Sequence, residues 1–239
     1  MEVTLESIKD KHKGKTAVVV VLGPSLNQNL DKLKELNDSD NLVVFTCNMF
    51  DKMIDIKADY WLVCAPMKPM YIASAHERIN NHGATFLFAD RIPGFSKSDA
   101  AKYLTTDYIP VSDVADNPNG LQQTFAKYTG GKTYGPVDTV LLHLIALSVY
   151  TGCDNVYIAG ADLNYDKGYV KNGVHKDGEL IGKVNMGVAA KNRTVSYINT
   201  MRYSATNVDT NIYTLNPNSP LSTIMDVKVM DDLKQSINE

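Results

Sequence analysis

Val18-Val19-Val20-Val21-Leu22 runs straight into Gly23-Pro24-Ser25-Leu26, and much later Val156-Tyr157-Ile158 runs into Ala159-Gly160-Ala161-Asp162. Each is a continuous apolar run followed by small residues, which is how a strand buried on both faces of a parallel sheet reads in sequence. In open α/β sheets ligands bind at the carboxyl ends of the strands, where Gly allows close backbone approach and the next helix offers free N–H groups. The two edges are therefore expected to flank one ligand crevice.

Reading outward, Leu5 and Ile8 among charged residues predict a short amphipathic entry helix before Gly14-Lys15. The first strand, about Thr16 to Leu22, is followed by a helix over Asn27 to Leu36, where Leu26, Leu30, Leu33 and Leu36 recur at helical spacing. Strands are predicted at Leu42–Cys47, Tyr60–Cys64 and Thr85–Ala89, separated by helices over Phe50–Ile56 and Tyr71–Asn81. Between Arg91 and Tyr134 the chain is punctuated by Gly, Pro and Asn, and only Tyr108–Val111 reads as a strand. An apolar helix over Val137–Tyr150 leads through Gly152 into the Val156 strand. A polar helix from about Met186 to Tyr203, a strand over Ile212–Leu215 and a terminal amphipathic segment from Met225 complete the chain. Alternating strands and helices predict an α/β fold: a single Rossmann-like domain over residues 1–239 with a mostly parallel sheet flanked by helices. The stretch from Leu163 to Lys183 is rich in Gly, Asn, Asp and Lys, and a loop this long predicts a flexible lid.

Composition sets outer bounds. The 239 residues suffice to bury a full α/β core, and a formal net charge of −3 argues against an extended nucleic-acid-binding surface. Cys47, Cys64 and Cys153 lie in or beside apolar runs without paired or metal-ligand spacing, and read as buried hydrophobes in a reducing compartment. The first residues show no secretion signal and no apolar run has membrane length, so the expected location is cytoplasmic, with no transmembrane segment; an oligomer is compatible with all of this.

At the strand ends, Gly23, Pro24 and Ser25 form a turn placed for a ligand, although the pattern is neither a dinucleotide fingerprint nor a Walker loop. Asn48 follows the second strand, where an amide serves either a base or ribose edge or a helix N-cap. Gly160 and Asp162 follow the Val156 strand, and a carboxylate there can accept the hydroxyls of a ribose. With Asp166 nearby a divalent ion is an alternative, but no other acid has recognisable metal spacing, so no metal site is assigned. Among the five histidines, His12 lies in the polar entry segment, His76 and His82 on or after a surface helix, and His143 in the apolar helix as a core residue. His175 alone lies in the lid, where it could act as acid or base. Asn216, Asn218 and Ser219 are turn formers at the same rim, after the last strand.

Taken in order, "GPSL" at 23–26, "CNMF" at 47–50, the apolar helix, Gly152, "NVYIAGADLNY" at 155–165 and "LNPNSPL" at 215–221 resemble the bacterial CMP-sialic-acid-dependent sialyltransferases. They also resemble the broader MptE-like group, which includes archaeal 6-hydroxymethylpterin pyrophosphokinases and proteins associated with flagellin glycosylation. The resemblance implies that Gly23–Ser25 lies under the nucleotide phosphate, that Asn48 and Thr139 contact the nucleotide, and that Gly160 and Asp162 hold the ribose with Asn164 beside them. It further implies that Tyr169 in the lid meets the donor phosphate and that Asn216–Ser219 is a family signature. Two positions depart from the sialyltransferase pattern, Leu22 and Ala65, each standing where that family carries Asn. The position of His175 soon after Asp162 fits the MptE-like group better.

The expectation is a transferase that moves a sugar from a CMP-type nucleotide donor to a glycan acceptor, with His175 as the base and Tyr169 at the phosphate, and without a required cofactor. The alternatives are an ATP- and Mg²⁺-dependent pyrophosphokinase and a nucleotide-binding protein without chemistry.

Overall fold

Burial on both faces explains why the strands of this chain are unbroken apolar runs. In the computed structural model, which describes residues 4–48, 50, 54–63, 76–89, 108–111, 120–134, 139–163 and 188–238, seven strands form one sheet. They are β1 (Thr16–Val20), β2 (Leu42–Cys47), β3 (Tyr60–Val63), β4 (Thr85–Ala89), β5 (Tyr108–Val111), β6 (Asn155–Ala159) and β7 (Asn211–Thr214). Their order is β5-β4-β3-β2-β1-β6-β7 and every pairing is parallel. The sheet grows outward from β1 in one direction through β5, then crosses back to place β6 on the other side of β1. This reversal is a topological switch point, the place where open sheets bind ligands.

Successive residues of the central strands feed two cores, as the period of two requires. Ala17, Val19 and Val21 join Val43, Phe45 and Cys47 on one face. There they meet α2 (Leu121–Thr129), α3 (Val140–Tyr150) and α4 (Val188–Ala205). Val18, Val20 and Leu22 join Val44, Trp61 and Phe86 on the other, against α1 (Leu30–Leu36), the helical residues 76–81 and α5 (Met230–Ser236). The layers are thus helix, sheet, helix. Among the described residues no helix is long and apolar enough to cross a membrane.

Several elements differ from the sequence expectation. The region between 91 and 134 contains α2, whose buried side chains include the polar Gln122 and Thr129 beside Leu121 and Phe125, so its stripe is weak by hydrophobicity alone. The signal available was its stop: Gly130 takes the left-handed conformation at the C-terminus (φ 64°). The helix expected from Asn27 is split, with a 3₁₀ turn at Pro24–Gln28 before α1, because Pro24 opens the turn and Asn29 falls between the two. Residues 54–58 are irregular rather than helical. The terminal helix begins at Met230, since residues 226–228 run beside β7 instead, with Thr214 N–H donating to Asp226 C=O and Lys228 N–H to Thr214 C=O. Cys47 and Cys153 are buried free thiols, and burial pushes both up to about 12. His143 is buried in α3. Apart from Leu163, the expected lid lies outside the described residues, as does Cys64.

Candidate functional site

The carboxyl ends of β1, β2 and β6 and the start of α3 enclose a cleft of about 80 Å³ lined by twelve residues. Gly23, Asn48, Thr139, Gly160 and Asp162, named from sequence, are brought together here although they span much of the chain. Val21, Leu22, Cys47, Val140, Leu141, Ala161 and Leu163 complete the walls. Pockets that enclose a whole small molecule run from roughly 300 Å³ upward, and the cleft is smaller than that.

Close approach of the β1 and β6 turns makes the floor. Gly23 N–H donates to Gly160 C=O over 2.9 Å, and Gly160 adopts φ 74°. A Cβ on Gly160 would collide with the Val21 carbonyl, and one on Gly23 with the Asp162 carboxylate and the Gly160 carbonyl. Neither position has room for a side chain.

Asp162 is bonded on both oxygens. Its Oδ2 accepts from Ser25 N–H (3.1 Å) and Ser25 Oγ–H (2.9 Å), and its Oδ1 accepts from Asn216 Nδ2 (3.0 Å). An ionised carboxylate has about four acceptor sites, so one remains for a ligand. The Gly23–Ser25 turn has spent its donors: Gly23 N–H on Gly160, the Ser25 N–H and hydroxyl on Asp162, and Leu26 N–H on Gly23 C=O. An anion must look elsewhere for N–H groups.

That elsewhere is the opening turn of α3. Thr139 caps it in extended conformation, its Oγ1 accepting from Leu141 N–H at 3.3 Å. A helix N-terminus presents N–H groups without helical partners and the positive end of the helix dipole; here Val140 and Leu141 line the cleft, the Leu141 N–H already held by Thr139. At the end of β2, Asn48 is held at φ 50°, with its N–H on Leu62 C=O (2.9 Å) and its C=O accepting from Trp61 Nε1 (2.8 Å). Asn tolerates this conformation better than most residues. Leu163 does not, yet adopts φ 49° while buried at the start of the expected lid.

Asn216 and Ser219 sit in the turn after β7, both buried, and Ser219 Oγ–H donates to Ala161 C=O at 2.6 Å. Asn218 N–H donates to Asn216 Oδ1. The link from Asn216 to Asp162 and the bond from Ser25 to Asp162 have no local sequence signal. Asn164, Tyr169 and His175 lie outside the described residues. Among the described residues no three His, Cys, Asp or Glu side chains cluster as a metal-ligand set.

The fold is shared with solved structures at low sequence identity. A sialyltransferase CstII from Campylobacter jejuni, in complex with the substrate analogue CMP-3FNeuAc, aligns with TM-score 0.56 and 16% identity, over 89% of this chain and 86% of that one. A sialyltransferase CST-II in complex with a trisaccharide acceptor and CMP aligns with TM-score 0.58 and 16% identity, over 89% and 86%. The monofunctional alpha-2,3-sialyltransferase Cst-I from Campylobacter jejuni gives 0.56 and 15%, over 90% and 81%. No curated protein matches the sequence. The family model described as 6-hydroxymethylpterin diphosphokinase MptE-like matches residues 1–168, more than half of the chain and including β1, β2, α3 and β6 with the whole cleft. With the cleft formed by that matched region, the chain belongs to the 6-hydroxymethylpterin diphosphokinase MptE-like family.

Proposed function

We propose that this protein is a transferase that binds a nucleotide or nucleotide sugar, with a CMP-type donor favoured, and passes the sugar to a glycan acceptor. The observation that carries the reading is the composition of the switch-point cleft, whose lining joins one carboxylate, Asp162, with the first residues of α3 and the β1 and β2 ends. In this reading Asp162 accepts from a ribose hydroxyl, Asn48 meets the nucleoside, and the N–H groups of α3 beside Thr139 receive the phosphate. Gly23, Pro24 and Ser25 give the ligand close backbone approach rather than donors. Gly160 does the same from β6, and Asn164 is proposed to join the nucleotide site.

For the chemistry, the acceptor hydroxyl oxygen bonds to the anomeric carbon while the bond from that carbon to the donor phosphate breaks, and the nucleotide leaves with the electron pair. His175 is proposed to take the hydroxyl proton and Tyr169 to meet the phosphate. The likeness to sialyltransferases crystallised with CMP and with a trisaccharide acceptor supports this choice of substrate classes.

The family match favours a second reading, diphosphoryl transfer from ATP to a hydroxymethylpterin. That chemistry uses Mg²⁺ to neutralise the phosphates. Asp162 already accepts three hydrogen bonds and keeps one acceptor site, which suits a ribose hydroxyl and supports the first reading. A thermal-shift panel of CMP, CDP, UDP, GDP and ATP, each with and without Mg²⁺, tests both, because a ligand specific for the native state raises the midpoint. The expected result is a shift with CMP that does not need Mg²⁺. A shift confined to ATP with Mg²⁺ would replace glycosyl transfer by diphosphoryl transfer, and no shift with any nucleotide would end the nucleotide reading.

A further inference from the structure

We propose that Asn216, outside the cleft lining and in the turn after β7, is a positioning residue that fixes the rotation of the Asp162 carboxylate and so sets the direction in which that group meets a nucleotide. The inference rests on the reading that the cleft binds a nucleotide.

The terminal torsion of an Asp side chain is soft and roughly two-fold. Both Ser25 bonds fall on Oδ2; the two oxygens turn together about Cβ–Cγ, so the torsion keeps whatever play these bonds allow until Oδ1 is bonded as well. The Asn216 amide, 3.0 Å from Oδ1, removes that freedom. Its own orientation is dictated by the backbone: Oδ1 of Asn216 accepts from Asn218 N–H at 2.9 Å, so Nδ2 is the end left to face Asp162. Asn216 is 4% exposed, and its N–H donates to Thr214 Oγ1 at 3.2 Å. Ser219 ties the same turn to Ala161, the neighbour of Asp162. The absent Cβ of Gly23 completes the mould, since a side chain there would strike Oδ2 in this orientation. A residue doing no more than closing the β7 turn would need the Asn218 bond alone.

Those two duties can be separated. Asn216→Asp keeps an oxygen for Asn218 N–H but replaces the donor facing Asp162 by a second carboxylate oxygen. Two carboxylates at this distance do not both ionise readily, and the pair retains a proton to a raised pH. While it does, the protonated acid introduced at position 216 donates to Asp162 as the amide did. Among the described cleft-lining residues the other titratable group is Cys47, whose thiol burial pushes up to about 12, so it stays protonated throughout.

The test measures Kd for CMP, and for ATP, by calorimetry from pH 5 to 8 in four proteins: wild type, Asn216→Ala, Asn216→Asp and the exchange Asp162→Asn with Asn216→Asp. Reporting each variant as a ratio to wild type cancels the titration of the nucleotide itself. Asn216→Ala is expected to bind roughly 10- to 100-fold more weakly at every pH, the size of a lost hydrogen bond to a charged group. Asn216→Asp should approach wild type at pH 5 and weaken progressively toward pH 8. The exchange should recover the unfolding midpoint lost in Asn216→Asp at pH 8 without recovering affinity, since the charge then sits on the wrong side of the pair. Wild-type affinity in Asn216→Asp at all pH values, or recovery of both midpoint and affinity in the exchange, overturns the positioning role while leaving the nucleotide reading intact. If Asn216→Ala does not fold, the pH trend of Asn216→Asp decides. A wild type that binds neither nucleotide refutes the underlying reading, and the inference with it.

Discussion

At the scale of single residues, Gly160 in the cleft differs in kind from Gly130 at the end of α2. Gly130 and Gly160 both take positive φ, at 64° and 74°, but a Cβ on Gly130 meets open space whereas one on Gly160 strikes the Val21 carbonyl. Gly130→Ala should therefore cost only the left-handed strain of about 1–2 kcal/mol. Gly160→Ala adds overpacking of about 1–3 kcal/mol and prises the β6 turn from the β1 turn. Urea midpoints of the two variants, measured side by side, check the difference; equal losses would mean the turns separate without resistance. Gly23, Asn48, Gly160 and Asp162 were legible in sequence as residues at strand ends, because a buried apolar run followed by small or polar residues announces its own carboxyl edge. The Ser25 and Asn216 bonds to Asp162 were not, because these partners stand 137 and 54 residues away.

Among the elements, α3 is the one on which the cleft depends. It is apolar apart from His143 and Ser148, ten of its eleven residues are buried, and its apolar side chains pack with the sheet and the α2 and α4 helices. Its N-terminus is held in the cleft wall by that packing, with Thr139 as cap. Leu144, with no exposed surface, should lose about 2–5 kcal/mol on replacement by Ala. Val188, 75% exposed on α4, should stay within about 0.5 kcal/mol. Chemical denaturation of both variants reads the contrast, and a small effect at Leu144 would show that α3 is not the keystone of this core. The apolar run of α3 was plain in sequence. That of α2 was hidden, because Gln122 and Thr129 are among its buried residues and a buried polar residue looks like a surface residue to any local pattern.

At the scale of the whole molecule, the chain start is clasped to the amino edge of the sheet, opposite the cleft. His12 N–H donates to Thr151 C=O at 2.7 Å, and its Nε2 lies 2.8 Å from the Tyr60 hydroxyl. Burial, together with the Lys11 charge, lowers the His12 pKa from 6.5 to about 4. The unfolded chain thus binds a proton that the folded chain refuses between these values, and stability must rise with pH across that window. The contribution is complete above pH 6.5 and is lost as pH falls toward 4. The urea midpoint of wild type relative to His12→Gln should rise between pH 4 and pH 6.5 and level off above; a constant difference would show that His12 does not titrate with folding.

The sequence by itself determined the local pieces: apolar runs that had to be buried strands, small-residue turns at their carboxyl ends, an acid and an amide standing at those ends, and strand–helix alternation that left a mostly parallel sheet as the economical arrangement. Tertiary structure alone decided that the chain returns across β1 after β5 to lay down β6 and β7. That crossing makes neighbours of the β1, β6 and β7 turns, turning an isolated Asp162 into a carboxylate held by Ser25 and Asn216. The physical reason is range. Propensity, periodicity and turn chemistry act over a few residues, whereas the order of strands is set by which arrangement buries both faces of the entire sheet at once.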